Sequence, residues 1–306
     1  MKPRADAVPR IALGAYLAVH FLMLLPFGTE VFSNEGVFPA EASPLLHLFP
    51  NVLALSDAPW AVTGLLLVGV LAAMALVLGI QQRVAALVCW YVWACLFGRT
   101  PLISNPSIPY VGLLLMALAA RPVGTERLSR PLFTVVWVLM ALGYSYSGWT
   151  KLDSASWLDG SAIAHVLEGP LARPGGLQVV LLALPPVMLR VVTWGVLGLE
   201  LAFAPLACVA RLRPWLWATM LALHVGLVVL IDFADLSLGM VLLHLFTFDP
   251  RWLSRRAFFG AVRRTLSKSF LPAESREASP ASPSHPQPRQ HVRSGETAAV
   301  MLRLRP

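Results

Sequence analysis

Charge is what this chain has least of. Only 13% of its 306 residues are charged and 57% are hydrophobic, for a mean hydropathy of +0.68. A soluble globular domain carries about 25% charged residues, so a single water-soluble core is excluded. Lysine is scarcer still: of the 24 basic residues only Lys2, Lys151 and Lys268 are lysines, and the rest are arginines. Cysteine is limited to Cys89, Cys95 and Cys208, each inside an apolar run and none at a metal-ligand spacing. They read as small buried hydrophobes and leave the redox compartment open. There is no glycine-rich nucleotide loop and no His-x3-His pair. The net charge of +8 does not point to nucleic acid, because most of it lies in loops and in a C-terminal tail, where basic residues set membrane topology.

Long apolar runs are what the chain has in abundance. They cover residues 11–27, 60–80, 84–98, 108–120, 132–149, 187–210, 214–231 and 236–248. A helix needs about 20 apolar residues to cross a bilayer. The pattern therefore predicts an all-α, polytopic membrane bundle of about eight transmembrane helices. The two shortest runs, 108–120 and 236–248, either extend into their loops or lie tilted and buried in the bundle. The first run exceeds the apolar stretch of a secretory signal, about 7–15 residues, and reads as a retained span. Residues 1–253 are expected to form the membrane domain. Residues 254–306 read as a basic, Pro- and Ser-rich cytoplasmic tail, largely disordered for lack of periodic apolar content.

Basic residues orient the bundle. With eight spans, twenty of the 24 fall on the side of the two termini, leaving only Arg99, Lys151, Arg173 and Arg190 opposite. The positive-inside rule then puts both termini in the cytoplasm, with the inner membrane as the expected location. Two long loops, 28–59 and 150–186, fall outside. They carry enough Phe, Leu and Trp to fold over the membrane surface, and long ordered loops are often functional. In the second loop, Asp159 or Ser161 is placed to cap a short helix that Gly169-Pro170 ends.

An ionisable group in hydrocarbon costs several kcal/mol unless paired, so each one is a candidate. Here they are His20, Glu200, His224 and His244, all near the middle of their runs. They are expected to meet in one layer, as helix-gluing hydrogen-bond partners or as a proton path. Lys151 ends the fifth run, with Tyr144, Ser147 and Gly148 at helical spacing on the same face. Trp149, Leu152 and Trp157 surround the amine with apolar surface. A snorkelling anchor explains such a lysine; so does a base, a role closed to arginine, which keeps its proton.

The stretch YSYSGWTKLDSASWLDG, residues 144–160, resembles the signature of the HTTM membrane domain, the family of vitamin K-dependent gamma-glutamyl carboxylase. The matching features are Gly148, Lys151, Leu152, Trp157 and Gly160. Weaker likenesses lie in VFSNEGVFP, in LELAFAPL around Glu200, and in the end of the last two runs with His224, Gly239-Met240, His244 and FDPRW. The likeness covers about residues 10 to 253. It implies Lys151 as the base that deprotonates a reduced quinone, which then reacts with oxygen to form the strong base that prepares glutamate for carbon dioxide. It also places Asn105 in the site. The family's Asn-His pair is Asn105-Pro106 here, and the stretch after 253 is a basic tail, unlike the family's lumenal domain. Besides a quinol-using enzyme, two readings stay open: an accessory or maturation protein binding a partner polypeptide, and a small-molecule transporter built on Glu200. For the enzyme, the cavity is expected between spans five and eight, beneath loop 150–186.

Overall fold

The structure, a computed structural model, describes residues 7–122, 125 and 128–253. The tail expected at 254–306 lies outside the described residues. Each of the eight apolar runs is a helix: α1 (Val8–Leu24), α2 (Pro59–Leu78), α3 (Gln82–Arg99), α4 (Ile108–Ala120), α5 (Arg130–Lys151), α6 (Pro186–Ala207), α7 (Arg213–Leu230) and α8 (Ala234–Thr247). Shorter helices in the connections are named by their residues. Five stretches are long and apolar enough to cross a membrane: Val8–Phe32, α2, α5, α6 and α7. The described residues contain one isolated antiparallel bridge, Ala172 to Ile231, and no named strand. The chain is an all-helical integral membrane protein.

Proline and glycine set the boundaries. Pro59, Pro131, Pro186 and Pro214 sit in the first turn of their helices, where a missing N–H costs nothing. Leu25-Pro26-Phe27 turns α1 into a 3-10 segment. Between α2 and α3 the chain reverses through Gly79 (φ 77°) and Gln81 (φ 41°), both left-handed. Arg10 reaches from α1 into this end of α2, donating to the carbonyls of Leu76 and Val77. A cation there complements the negative end of the helix dipole.

The outward surface of the long helices is apolar. Leu67, Val68, Leu71 and Met74 of α2, Val135, Val138 and Leu142 of α5, and Val225 and Val229 of α7 are all exposed. In water each exposed Å² of such surface would forfeit about 25 cal/mol; against lipid tails it forfeits nothing.

Helix α8 is the hub, packing on α1, α4, α5 and α7. It has 14 residues, so it runs only about 21 Å, and most of its length is buried. Gly239 makes the close approach: a Cβ there would lie 2.5 Å from the Cβ of Ser107. α1 to α4 pack as a series on one side, and α5 packs chiefly on α6.

Candidate functional site

A cluster of polar contacts lies where α5 crosses α6. Gly148 allows it, since a Cβ there would come within 2.6 Å of the backbone nitrogen of Leu201. Pro205 prepares the other side. Having no N–H, it leaves the carbonyl of Leu201 without its usual donor four residues on. Ser145 enters this gap: its hydroxyl faces the carbonyls of Glu200 (3.1 Å) and Leu201 (3.2 Å) and accepts from the N–H of Ala204 at 2.9 Å.

About one turn beyond Gly148, this crossing brings Lys151 onto Glu200. The lysine Nζ donates to Glu200 Oε2 at 2.5 Å and to Ser147 Oγ at 2.7 Å. The Trp157 ring lies over the amine, 4.9 Å from Nζ to centroid. Only 21% of the Lys151 side chain and 8% of that of Glu200 remain accessible. Lys151 thus does not reach out to water, as its place at the end of an apolar run suggests; it turns into the bundle toward a carboxylate. Glu200 is fourteen residues into α6, about 21 Å from its start. The N-terminal half of α6 therefore runs on past the end of α5 and carries the loop that follows α5. There Trp194 donates to the Leu158 carbonyl at 3.1 Å, and the Ile163 N–H donates to Thr193 Oγ1 at 3.3 Å. Gly160 (φ 84°) turns the chain against Arg190 and Trp194. Trp157 and Gly160 of the motif thus have distinct jobs, one covering the amine and the other making the turn. Asp159 accepts from the Ser161 N–H at 2.8 Å, just ahead of the helix Ala162–Glu168.

A second group lies deeper. The rings of Tyr144, His224 and His244 form a near-equilateral triangle, with centroids 5.9, 5.9 and 6.1 Å apart. His244 Nδ1 meets the Met240 carbonyl at 2.8 Å, and the His244 carbonyl accepts from Trp217 Nε1 at 2.9 Å. The Tyr144 hydroxyl, both nitrogens of His224 and Nε2 of His244 are buried without a hydrogen-bond partner among the described residues. Tyr144 links this group to the first, since it lies on α5 seven residues before Lys151 and on the same helix face.

A third group separates His20 and Asn105 from the others. Both bind Asp235 in the first turn of α8. His20 Nδ1 lies 3.1 Å from Asp235 Oδ1, Tyr16 donates to the same oxygen at 2.5 Å, and Asn105 Nδ2 donates to Oδ2 at 2.9 Å. Asn105 also holds the start of α4, accepting from the N–H and hydroxyl of Ser107. The expected single layer is therefore two groups. Glu200, His224 and His244 are neighbours through Lys151 and Tyr144, while His20 belongs with Asp235. A cavity of about 960 Å³ opens over this third group, between α1, α3 and α8. Its lining includes Tyr16, His20, Asn105 and Asp235 but none of Lys151, Glu200, His224 or His244. This large cavity is thus not the one expected between spans five and eight. No set of three His, Cys, Asp or Glu residues that could hold a metal occurs among the described residues.

The sequence alone does not mark Asp235 as a site residue; there it reads as one more acid of a loop. Its signal was an acid opening an otherwise apolar helix. Comparison with known protein families, with curated proteins and with solved structures finds no match to this chain.

Proposed function

We propose that this protein is an integral membrane enzyme of the HTTM group that takes a proton from a lipid-phase quinol, with Lys151 as the base and Glu200 as its proton partner. The observation that carries the reading is the 2.5 Å contact between Lys151 Nζ and Glu200 Oε2, under Trp157 at the end of α5. A lone amine in that setting has no partner for its charge. Paired with a carboxyl, it holds the proton in either of two places: ammonium with carboxylate, or amine with carboxylic acid. In the second form the Nζ lone pair takes the quinol hydroxyl proton. The O–H bond breaks, an N–H bond forms, and the quinolate is left beside a new ammonium. Tyr144, His224 and His244 extend the polar column below the pair as a route for that proton.

The reading includes an inner-membrane location with both termini cytoplasmic, supported by the distribution of basic residues. Carboxylation of a protein glutamate is not part of it, because Pro106 occupies the position of the family's histidine.

The test is oxygen-dependent consumption of a reduced quinone by purified protein in nanodiscs, since the quinolate that Lys151 forms is the species that dissolved oxygen oxidises. Lys151→Arg keeps a cation and a long stem but cannot supply a neutral base, so the rate should fall by about 10²–10⁴. Glu200→Gln should fall comparably while keeping a hydrogen-bond acceptor for Nζ. Turnover of Lys151→Arg within about threefold of wild type, under 1 kcal/mol, would reduce Lys151 to an anchor.

A further inference from the structure

The cavity between α1, α3 and α8 is acceptor-rich at one end and hydrocarbon elsewhere. Its donors are mostly spent. Tyr16 and Asn105 donate to Asp235, and Trp93 Nε1 donates to the Ile108 carbonyl at 3.2 Å. Asp235 keeps capacity. Oδ1 takes Tyr16 and His20 while Oδ2 takes only Asn105, and a carboxylate offers about four lone-pair sites. Its side chain remains 25% accessible. His20 keeps Nδ1 on the carboxylate and packs its ring against Trp93. The aromatic faces of Trp93, His20 and Tyr16 gather beside these acceptors, with His20 4.8 Å and Tyr16 6.4 Å from Trp93 between centroids. At the rim, Arg173 is paired with Asp232 at 3.1 Å, which offsets its charge. The other wall is apolar, and Val19, Met23 and Phe27 on it are exposed at the bundle perimeter, open to lipid.

We propose that this cavity binds a single-chain amphiphile with a primary ammonium head, the head on Asp235 and the chain along α1 and α8. A carboxylate with a free acceptor site selects a donor. Ring faces add cation–π attraction for a positive one. The same acceptors repel a sulfate, phosphate or carboxylate head. The volume of about 960 Å³ lies at the upper end of the roughly 300–1,000 Å³ usual for small-molecule sites. The lateral opening admits a ligand already dissolved in the bilayer. The site shares no residue with the Lys151–Glu200 pair, so either assignment can fail while the other stands.

The experiment measures binding of dodecylammonium, dodecanol and dodecyl sulfate to the purified full-length protein in nanodiscs by native mass spectrometry. Dodecylammonium should bind one-to-one and about tenfold or more tighter than dodecanol, a difference within reach of one ion contact and one cation–π contact, and dodecyl sulfate should not compete. Asp235→Asn should remove the preference for the amine. Val241→Trp, on the apolar wall and away from the polar cluster, should weaken dodecylammonium by a similar factor; this variant decides the matter if Asp235→Asn does not fold. Equal binding of all three probes, an amine preference that survives Asp235→Asn, or undiminished binding to Val241→Trp would each overturn the assignment.

Discussion

His224 carries both ring nitrogens into the bundle interior with no hydrogen-bond partner among the described residues, beside a His244 Nε2 and a Tyr144 hydroxyl in the same condition. A buried polar group left unsatisfied costs about 1–3 kcal/mol, and no hydrogen bond among the described residues requires an imidazole where phenylalanine offers a planar apolar ring one atom larger. If the fold alone set this position, His224→Phe would raise the unfolding free energy by about 1–3 kcal/mol. We expect that gain, read as a higher melting temperature in detergent, together with loss of quinol turnover. A less stable variant would mean that His224 has a bound partner in the folded protein. The cost of polarity in hydrocarbon is also why Lys151, Glu200, His224 and His244 can be picked out of the bare sequence. Who meets whom cannot be read the same way. The Lys151–Glu200 pair joins positions 49 apart in sequence, and helix register is fixed only by tertiary contact. Arg10 and Arg99 mislead for a related reason. Each reads as a loop charge, yet Arg10 is buried against α2. Arg99 is fully buried, bound to Asp57 and to the carbonyls of Ser33 and Phe38. It acts as the clamp of the loop between α1 and α2.

Two glycines of the long helices test what holds the elements together. Gly148 sits at the α5–α6 crossing, where a Cβ would stand 2.6 Å from a backbone nitrogen that cannot give way. Gly64 of α2 has no heavy atom within 4 Å of its hypothetical Cβ. Gly148→Ala should therefore cost about 1–3 kcal/mol, as overpacked interiors do, and should separate Lys151 from Glu200. Gly64→Ala should gain about 0.5–1 kcal/mol from helix propensity. Denaturation of the two variants side by side checks both signs; a stable Gly148→Ala would mean that the crossing is looser than the backbone distances require. Helix existence is legible from apolar runs, and helix ends from proline and glycine, because these act locally. The gap that Pro205 opens and Ser145 fills is not, since the two residues lie sixty positions apart. Nor is the role of α8, whose short apolar run reads like that of α4 until its neighbours on several sides are known.

At the scale of the whole molecule, burial of Arg10 and Arg99 removes one residue from each side of the charge count, so the asymmetry that orients the bundle survives. The cysteines supply a direct test. Cys89 and Cys95 are buried as their apolar runs suggest, whereas Cys208, expected to be buried with them, is exposed because α6 ends one residue before it; it lies on the side predicted to be cytoplasmic. In intact cells a membrane-impermeant maleimide should leave Cys208 unlabelled, and a permeant one should label it. With Cys208→Ser as background, Ala155→Cys places a thiol at an exposed position of the loop between α5 and α6, and the impermeant reagent should reach it from outside. The reverse pattern would invert the bundle. It would put the Lys151–Glu200 pair and the Asp235 cavity toward the cytoplasm, and the positive-inside argument would then have failed for a chain in which basic residues gather overwhelmingly on one side. Labelling of both positions by the impermeant reagent would instead mean an odd number of crossings between Ala155 and Cys208 is wrong, leaving α6 short of the membrane despite its 22 apolar-rich residues.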